Sequence, residues 1–146
     1  LLLGVETGRV VPVLLGSAAS GIGVATLLDR IVGELPSPLE LVHEEAANVD
    51  PAHPAIFVFK TSADPFVGKI NYVRVFGGEL SADHHYLNTT TGADERAHNV
   101  FFPHGKQQEV SPKVPAGDIA AIAKLNATHT GDTLCNPKHP ITLPHV

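Results

Sequence analysis

Ala55-Ile56-Phe57-Val58-Phe59-Lys60, then Asp64-Pro65, then Lys69-Ile70-Asn71-Tyr72-Val73-Arg74-Val75-Phe76 and Gly77-Gly78, is the stretch that decides the fold. Both runs are dominated by β-branched and aromatic residues, which suit a pleated, half-buried surface. Asp-Pro and Gly-Gly punctuate them as turns. The same texture recurs downstream in Tyr86–Thr90, Ala97–Phe102, Ile119–Leu125 and Thr133–Cys135. Thr91-Gly92-Ala93-Asp94, Pro115-Ala116-Gly117-Asp118 and Gly131-Asp132 separate these segments. Six or seven short strands at this spacing predict a mainly β fold over 55–146, a small barrel or sandwich. Alternation is imperfect in Lys69–Phe76, where Val73 and Val75 face one way and Ile70 and Tyr72 the other. A closed barrel with that pattern is expected to have another domain over part of its outside.

Upstream the pattern is different. Val10-Val11-Pro12-Val13-Leu14-Leu15, bounded by Gly8 and Gly16, predicts a short strand buried on both faces, as in a parallel α/β sheet. After Gly16-Ser17-Ala18-Ala19-Ser20-Gly21, apolar residues recur at Val24, Ala25, Leu27, Leu28, Ile31, Val32 and Leu35, which is helical spacing with one wide apolar face. Ser20 reads as the N-cap, and Pro36-Ser37-Pro38 ends the helix. One strand and one helix are half of an α/β unit and lack partner surface. Residues 39–54 carry four acids, Pro51 and Pro54 with little periodicity, and read as a linker.

Composition narrows the function classes. The 146 residues are 43% hydrophobic and 17% charged, which excludes a disordered chain. One cysteine, Cys135, excludes a disulfide scaffold. No apolar run approaches the ~18–20 residues that span a bilayer, and Leu1-Leu2-Leu3 lacks the basic residues that precede a signal peptide. With no Met and a start at Leu1, the chain reads as an excerpt of something longer. The net charge is −5, but residues 1–54 hold two basic and seven acidic groups, whereas 55–146 hold eight of each. Neither part has the basic excess of an autonomous nucleic-acid binder, so DNA is not an expected partner and any RNA contact must be local.

The chemistry-bearing motifs mostly have plain readings. Gly16–Gly23 lies between a strand and a helix, where phosphates often bind. However, Ile22 and Gly23 stand where a P-loop needs Lys and Ser/Thr, and no G-x-G-x-x-G occurs in phase. What remains is a loop of small residues whose backbone can approach a flat ligand. Asp83-His84-His85 suggests a metal, yet strand neighbours point to opposite faces and no H-x-x-x-H or C-x-x-C spacing occurs, so no metal site is expected. Asp64, Asp118 and Asp132 sit beside Pro or Gly as turn residues. Cys135 reads as a half-buried strand thiol.

Taken in order, the residues resemble a known family. Pro12-Val13-Leu14-Leu15-Gly16-Ser17-Ala18, Leu27-Leu28-Asp29 and Leu35-Pro36-Ser37-Pro38 resemble the end of the GTPase domain of bacterial elongation factor G. Phe59-Lys60, Asp64-Pro65-Phe66-Val67-Gly68-Lys69, Arg74-Val75-Phe76-Gly77-Gly78-Glu79-Leu80 and Asn88-Thr89-Thr90-Thr91-Gly92 resemble its second domain. So do Glu95-Arg96, Ala116-Gly117-Asp118-Ile119 and Thr128-His129-Thr130-Gly131-Asp132-Thr133-Leu134. Ala19 replaces the family's usual basic residue, and Asn99–Lys106 is more similar to the paralogous elongation factor G-like branch.

The resemblance implies three parts: residues 1–38 as the last strand and helix of a GTPase domain, 39–54 as a linker, and 55–146 as the translation-factor β-barrel. It implies a cytoplasmic parent that binds and hydrolyses GTP with Mg²⁺. Gly16, Ser17 and Ala18 would belong to the motif that reads the guanine base. The barrel would pack on the GTPase domain and touch small-subunit ribosomal RNA, with Lys69, Arg74 and Lys106 as the nearest cations. Phosphoryl transfer needs a P-loop, a Mg²⁺ ligand and a water-positioning residue, none of which occurs in the sequence, so the excerpt itself is not expected to be an enzyme. Two rival readings are a ribosomal protection protein of the tetracycline-resistance type and a free-standing β-barrel module for a small ligand or oligonucleotide. The second would need aromatics clustered on one barrel face, and the six Phe and two Tyr show no such platform along the sequence.

Overall fold

The computed structural model describes residues 4–5, 8–35, 49–105 and 107–144. The chain divides into two compact units, Leu1–Leu41 and Val42–Val146. Residues 39–48 of the expected linker lie outside the described residues, as does Lys106.

In the first unit the expected helix forms as α1 (Val24–Glu34). Its N-cap is Gly23, in the left-handed region at φ 78°, and no side chain caps it. Ser20 is therefore not the cap: the chain enters the helix through a turn in which Ser17 and Ile22 form a bridge. The expected strand over Val10–Leu15 does not form. A strand needs a partner for its N–H and C=O groups; among the described residues no strand lies alongside this segment, although the Val10 N–H donates to the Gly4 carbonyl at 2.8 Å. Its side chains are accordingly exposed, Leu15 at 91%. The helix is amphipathic but its apolar face is also uncovered, and Glu34, ion-paired with Arg30, is its one buried residue.

The second unit contains β1 (Ala55–Asp64), β2 (Gly68–Gly77), β3 (Glu79–Ser81), β4 (His85–Asn88) and β5 (Asp94–Arg96). It continues with β6 (Asn99–His104), β7 (Gln107–Val110), β8 (Lys113–Pro115), β9 (Ile119–Ala123) and β10 (Thr133–Cys135). Eight of these strands form one antiparallel sheet in the order β5-β4-β10-β1-β2-β9-β6-β7, and β3 pairs with β8 in a separate ribbon. The sheet curls around a core that includes Ile56, Val58, Val73, Ile122 and Leu134, and the ribbon adds Leu80 and Val114 to the same core. Two features bend it. The β1–β2 register shifts between Val58 and Lys60, leaving Phe59 as a bulge. Gly78, at φ 59°, turns β2 into β3 against His53 and Pro54, where an added Cβ would sit 2.6 Å from backbone atoms. The result is the mainly β, barrel-type fold expected.

The two apolar faces of β2 are both used. Val73 and Val75 enter the core, whereas Ile70 joins Phe101, Ala121 and Ala123 in a second cluster on the outer face. Val67 and Tyr72, from the same unit, pack against that cluster. Cover that was expected from another domain is thus partly supplied within the unit.

Candidate nucleic-acid interface

Strand parity places the cations. Within β2, Asn71, Val73 and Val75 are buried and alternate with Tyr72, Arg74 and Phe76, which are half-buried on the outer face. Lys69 and Arg74 are five residues apart with no bulge in β2 between them, so they point to opposite faces ~17 Å apart. The structure does not bring them together.

Lys69 instead meets a residue far along the chain. Its Nζ donates to the Asn126 carbonyl at 3.1 Å, and the Lys124 N–H donates to the Lys69 carbonyl at 2.9 Å. Lys124 sits at φ 64°, which ends β9 at Ala123 rather than at the expected Leu125 and exposes this second lysine beside the first. The loop that carries Asn126 is held from beneath. Glu95, 3% exposed, accepts the N–H groups of Asn126 (3.1 Å) and Ala127 (2.6 Å) and the Thr128 hydroxyl (3.0 Å). Thr128 also accepts from the Asn88 amide, which donates in turn to Asp132 at 2.9 Å. A buried carboxylate is tolerable when donors replace its lost water, and three do so here.

A second group of cations lies on the outer face of β1 and β2. Lys60 Nζ is 5.6 Å from the Tyr72 ring centroid, Phe59 packs on Tyr72 at 6.5 Å, and the Arg74 guanidinium is 5.2 Å from the Phe76 ring. Such contacts hold a cation loosely while leaving it open to an anion. Among the described residues, Arg96 and Lys113 face Asp83 and Glu79, whereas Lys60, Lys69, Arg74 and Lys124 have no carboxylate partner. The sequence pointed to Lys69 and Arg74 but missed Lys60 and Lys124. It also showed no aromatic platform, yet folding brings Phe59 against Tyr72.

In the first unit Gly16, Ser17 and Ala18 line a shallow depression of about 260 Å³ with Leu14, Ile22 and Leu27. A Cβ on Gly16 would lie 2.8 Å from the Ile22 carbonyl, so glycine is required where the two backbone passes cross. The Ser17 N–H donates to that same carbonyl at 2.9 Å.

The remaining motifs keep structural roles. Asp64 accepts the N–H groups of Val67 and Phe66, and these bonds hold its carboxyl below the usual range. His84 and His85 face different partners, the Ala82 carbonyl and Asp94. Among the described residues no three His, Cys, Asp or Glu side chains converge as a metal site. Cys135 is fully buried rather than half-buried, and burial raises its thiol pKa.

Comparison with known proteins follows the same lines. The family model described as elongation factor G domain 2 matches residues 53–137. A solved protein from Thermus thermophilus matches 87% of this chain at 28% identity with a TM-score of 0.67, and the chain spans 18% of that protein's length.

Proposed function

This chain belongs to the elongation factor G family, and from that premise we propose that it links the base-reading end of a GTPase domain to a β-barrel that orients the parent on small-subunit ribosomal RNA. The observation that carries the proposal is Lys69, held by the Asn126 carbonyl beside Lys124 with no carboxylate, among the described residues, to neutralise either ammonium. A cation already positioned meets a phosphate with less loss of side-chain freedom than a free one. Arg74 is a separate contact on another face, and Lys106 is retained as a third on the strength of the family resemblance alone.

Eight positive and eight negative groups over 55–146 give no general attraction for RNA, so the barrel contributes orientation and the rest of the parent contributes most of the affinity. In the parent, GTP would meet this chain only at its base. The Ser17 N–H is already engaged, which leaves the Ser17 hydroxyl and the backbone at Gly16 and Ala18 for that contact. The phosphates and Mg²⁺ would be held by other parts of the parent, which carry the hydrolysis, and this chain takes no catalytic step. The Asn99–Lys106 segment favours the elongation factor G-like branch over the ordinary translocase, and with Ala19 the stacking of a basic side chain on the base is lost.

The test is Lys69→Ala in the full-length parent. Ribosome binding should weaken by about 1–2 kcal/mol, as for one charged hydrogen bond, and unchanged affinity would remove Lys69 from the interface.

A further inference from the structure

We propose that the groove between the 64–67 turn and the β6–β7 hairpin binds one unpaired RNA base, with the outer-face cations holding the adjoining phosphates. This inference rests on the RNA-contact reading but concerns a different surface from Lys69. The groove is about 460 Å³, within the range of small-ligand sites. Its shape follows from pairing. Tyr72 lies opposite Ala121 and Ala121 opposite Phe101, so a small residue separates two aromatic ones in a row across β2, β9 and β6. Phe66, 95% exposed, forms part of the rim.

The lining chemistry fits a base better than an apolar ligand. Phe66 offers an exposed ring face on which any base can stack, and Tyr72, with Lys60 over its ring, adds aromatic lining beside it. Gln108, paired with Pro103 on the face that carries Phe101, brings an amide that can both donate to and accept from a base edge. Asp64 adds a carboxylate at the rim, already accepting two N–H bonds, which disfavours a phosphate there but suits an exocyclic amino group. The phosphates belong one step away, where Lys60 lies over the Tyr72 ring and Arg74 is two residues further along the same face. Neither cation has a carboxylate partner among the described residues, so their positive charge is available to phosphates next to the groove. Double-stranded RNA buries its base faces and would reach only the cations.

The experiment titrates the full chain at low salt with fluorescein-labelled hexa-adenylate and, separately, with a blunt 12-base-pair RNA duplex. The single strand should bind more tightly. Phe66→Ala removes an exposed ring without burdening the fold and should weaken hexa-adenylate binding about 5- to 150-fold, the range for one lost stacking contact, while leaving duplex binding unchanged. Tyr72→Leu, which preserves packing on the second cluster, should act in the same direction. Equal binding of both RNAs, or single-strand binding unaffected by Phe66→Ala, overturns the base site. Failure of hexa-adenylate to bind at all overturns it too. None of these outcomes bears on Lys69, whose ribosome contact stands or falls with Lys69→Ala in the parent.

Discussion

The helix of the first unit and the strand β9 of the second both carry several apolar residues but have different surroundings. α1 presents Leu27, Leu28, Ile31 and Val32, all exposed, Val32 at 85%. In β9, Ala120, Ala121, Ile122 and Ala123 are buried between β2 and β6. Apolar area contributes to stability only when it leaves water, at roughly 25 cal/mol per Å². Hydrophobicity in the sequence therefore predicts where a partner is wanted, and only the structure shows whether this chain supplies it. The barrel supplies its own; the described residues of the first unit leave the helix side chains exposed.

The largest expected effect breaks the comparison at its strong side. Ile122→Ala should destabilise the barrel by about 3 kcal/mol, the cost of a cavity in a closed core. Leu28→Ala on the exposed helix should change stability by no more than about 0.5 kcal/mol. Chemical denaturation of the two variants checks both figures. A smaller loss is expected from Glu95→Ala, which leaves the Thr128 hydroxyl and two backbone N–H groups without their acceptor and should cost about 2 kcal/mol by the same measurement. The effect belongs to the barrel alone, and α1 has no comparable network among the described residues.

The smallest effect concerns pH. Tyr86 is buried, its hydroxyl accepts the Ser81 N–H at 2.7 Å and donates to the Ser81 carbonyl, and burial raises its pKa above the ordinary 10.0. An acid whose pKa is raised by folding stabilises the protein fully below the unfolded value and loses that contribution as pH rises through the folded one. Barrel stability should thus fall above pH 10, and Tyr86→Phe should make that fall shallower. At neutral pH the variant should lose about 1 kcal/mol with the Ser81 hydrogen bond. Denaturation midpoints from pH 8 to 11 separate the two.

The division between legible and hidden features has a physical basis. Six strands could be read from the sequence: four from runs containing Val, Ile or Phe, and β4 and β10 from Tyr, Leu and Thr lying near turn residues. β3, β5, β7 and β8 are three or four residues long and rich in charged and amide side chains, so their strand character comes from their partners. The Val10–Leu15 strand failed for the same reason reversed: its sequence suits a sheet, but among the described residues no strand lies alongside it. At the candidate interface Lys69 and Arg74 could be picked out as cations, and the alternation over Lys69–Phe76 already separates them onto opposite faces; the Asn126 carbonyl that holds Lys69 could not be read. Lys124 reaches Lys69 through a backbone hydrogen bond between residues 55 apart in the chain. The Tyr72–Ala121–Phe101 row likewise depends on register across three strands, which no local pattern encodes.

Amide hydrogen exchange on the intact chain tests the contrast between the two regions most directly. Amides buried in a self-sufficient core open only with global unfolding, whereas those of an uncovered helix open locally. The amides of Val24–Glu34 should exchange on the order of 100-fold faster than those of Ile119–Ala123. Equal protection of the two segments would show that helix and barrel are stabilised as one cooperative unit, and would contradict the account.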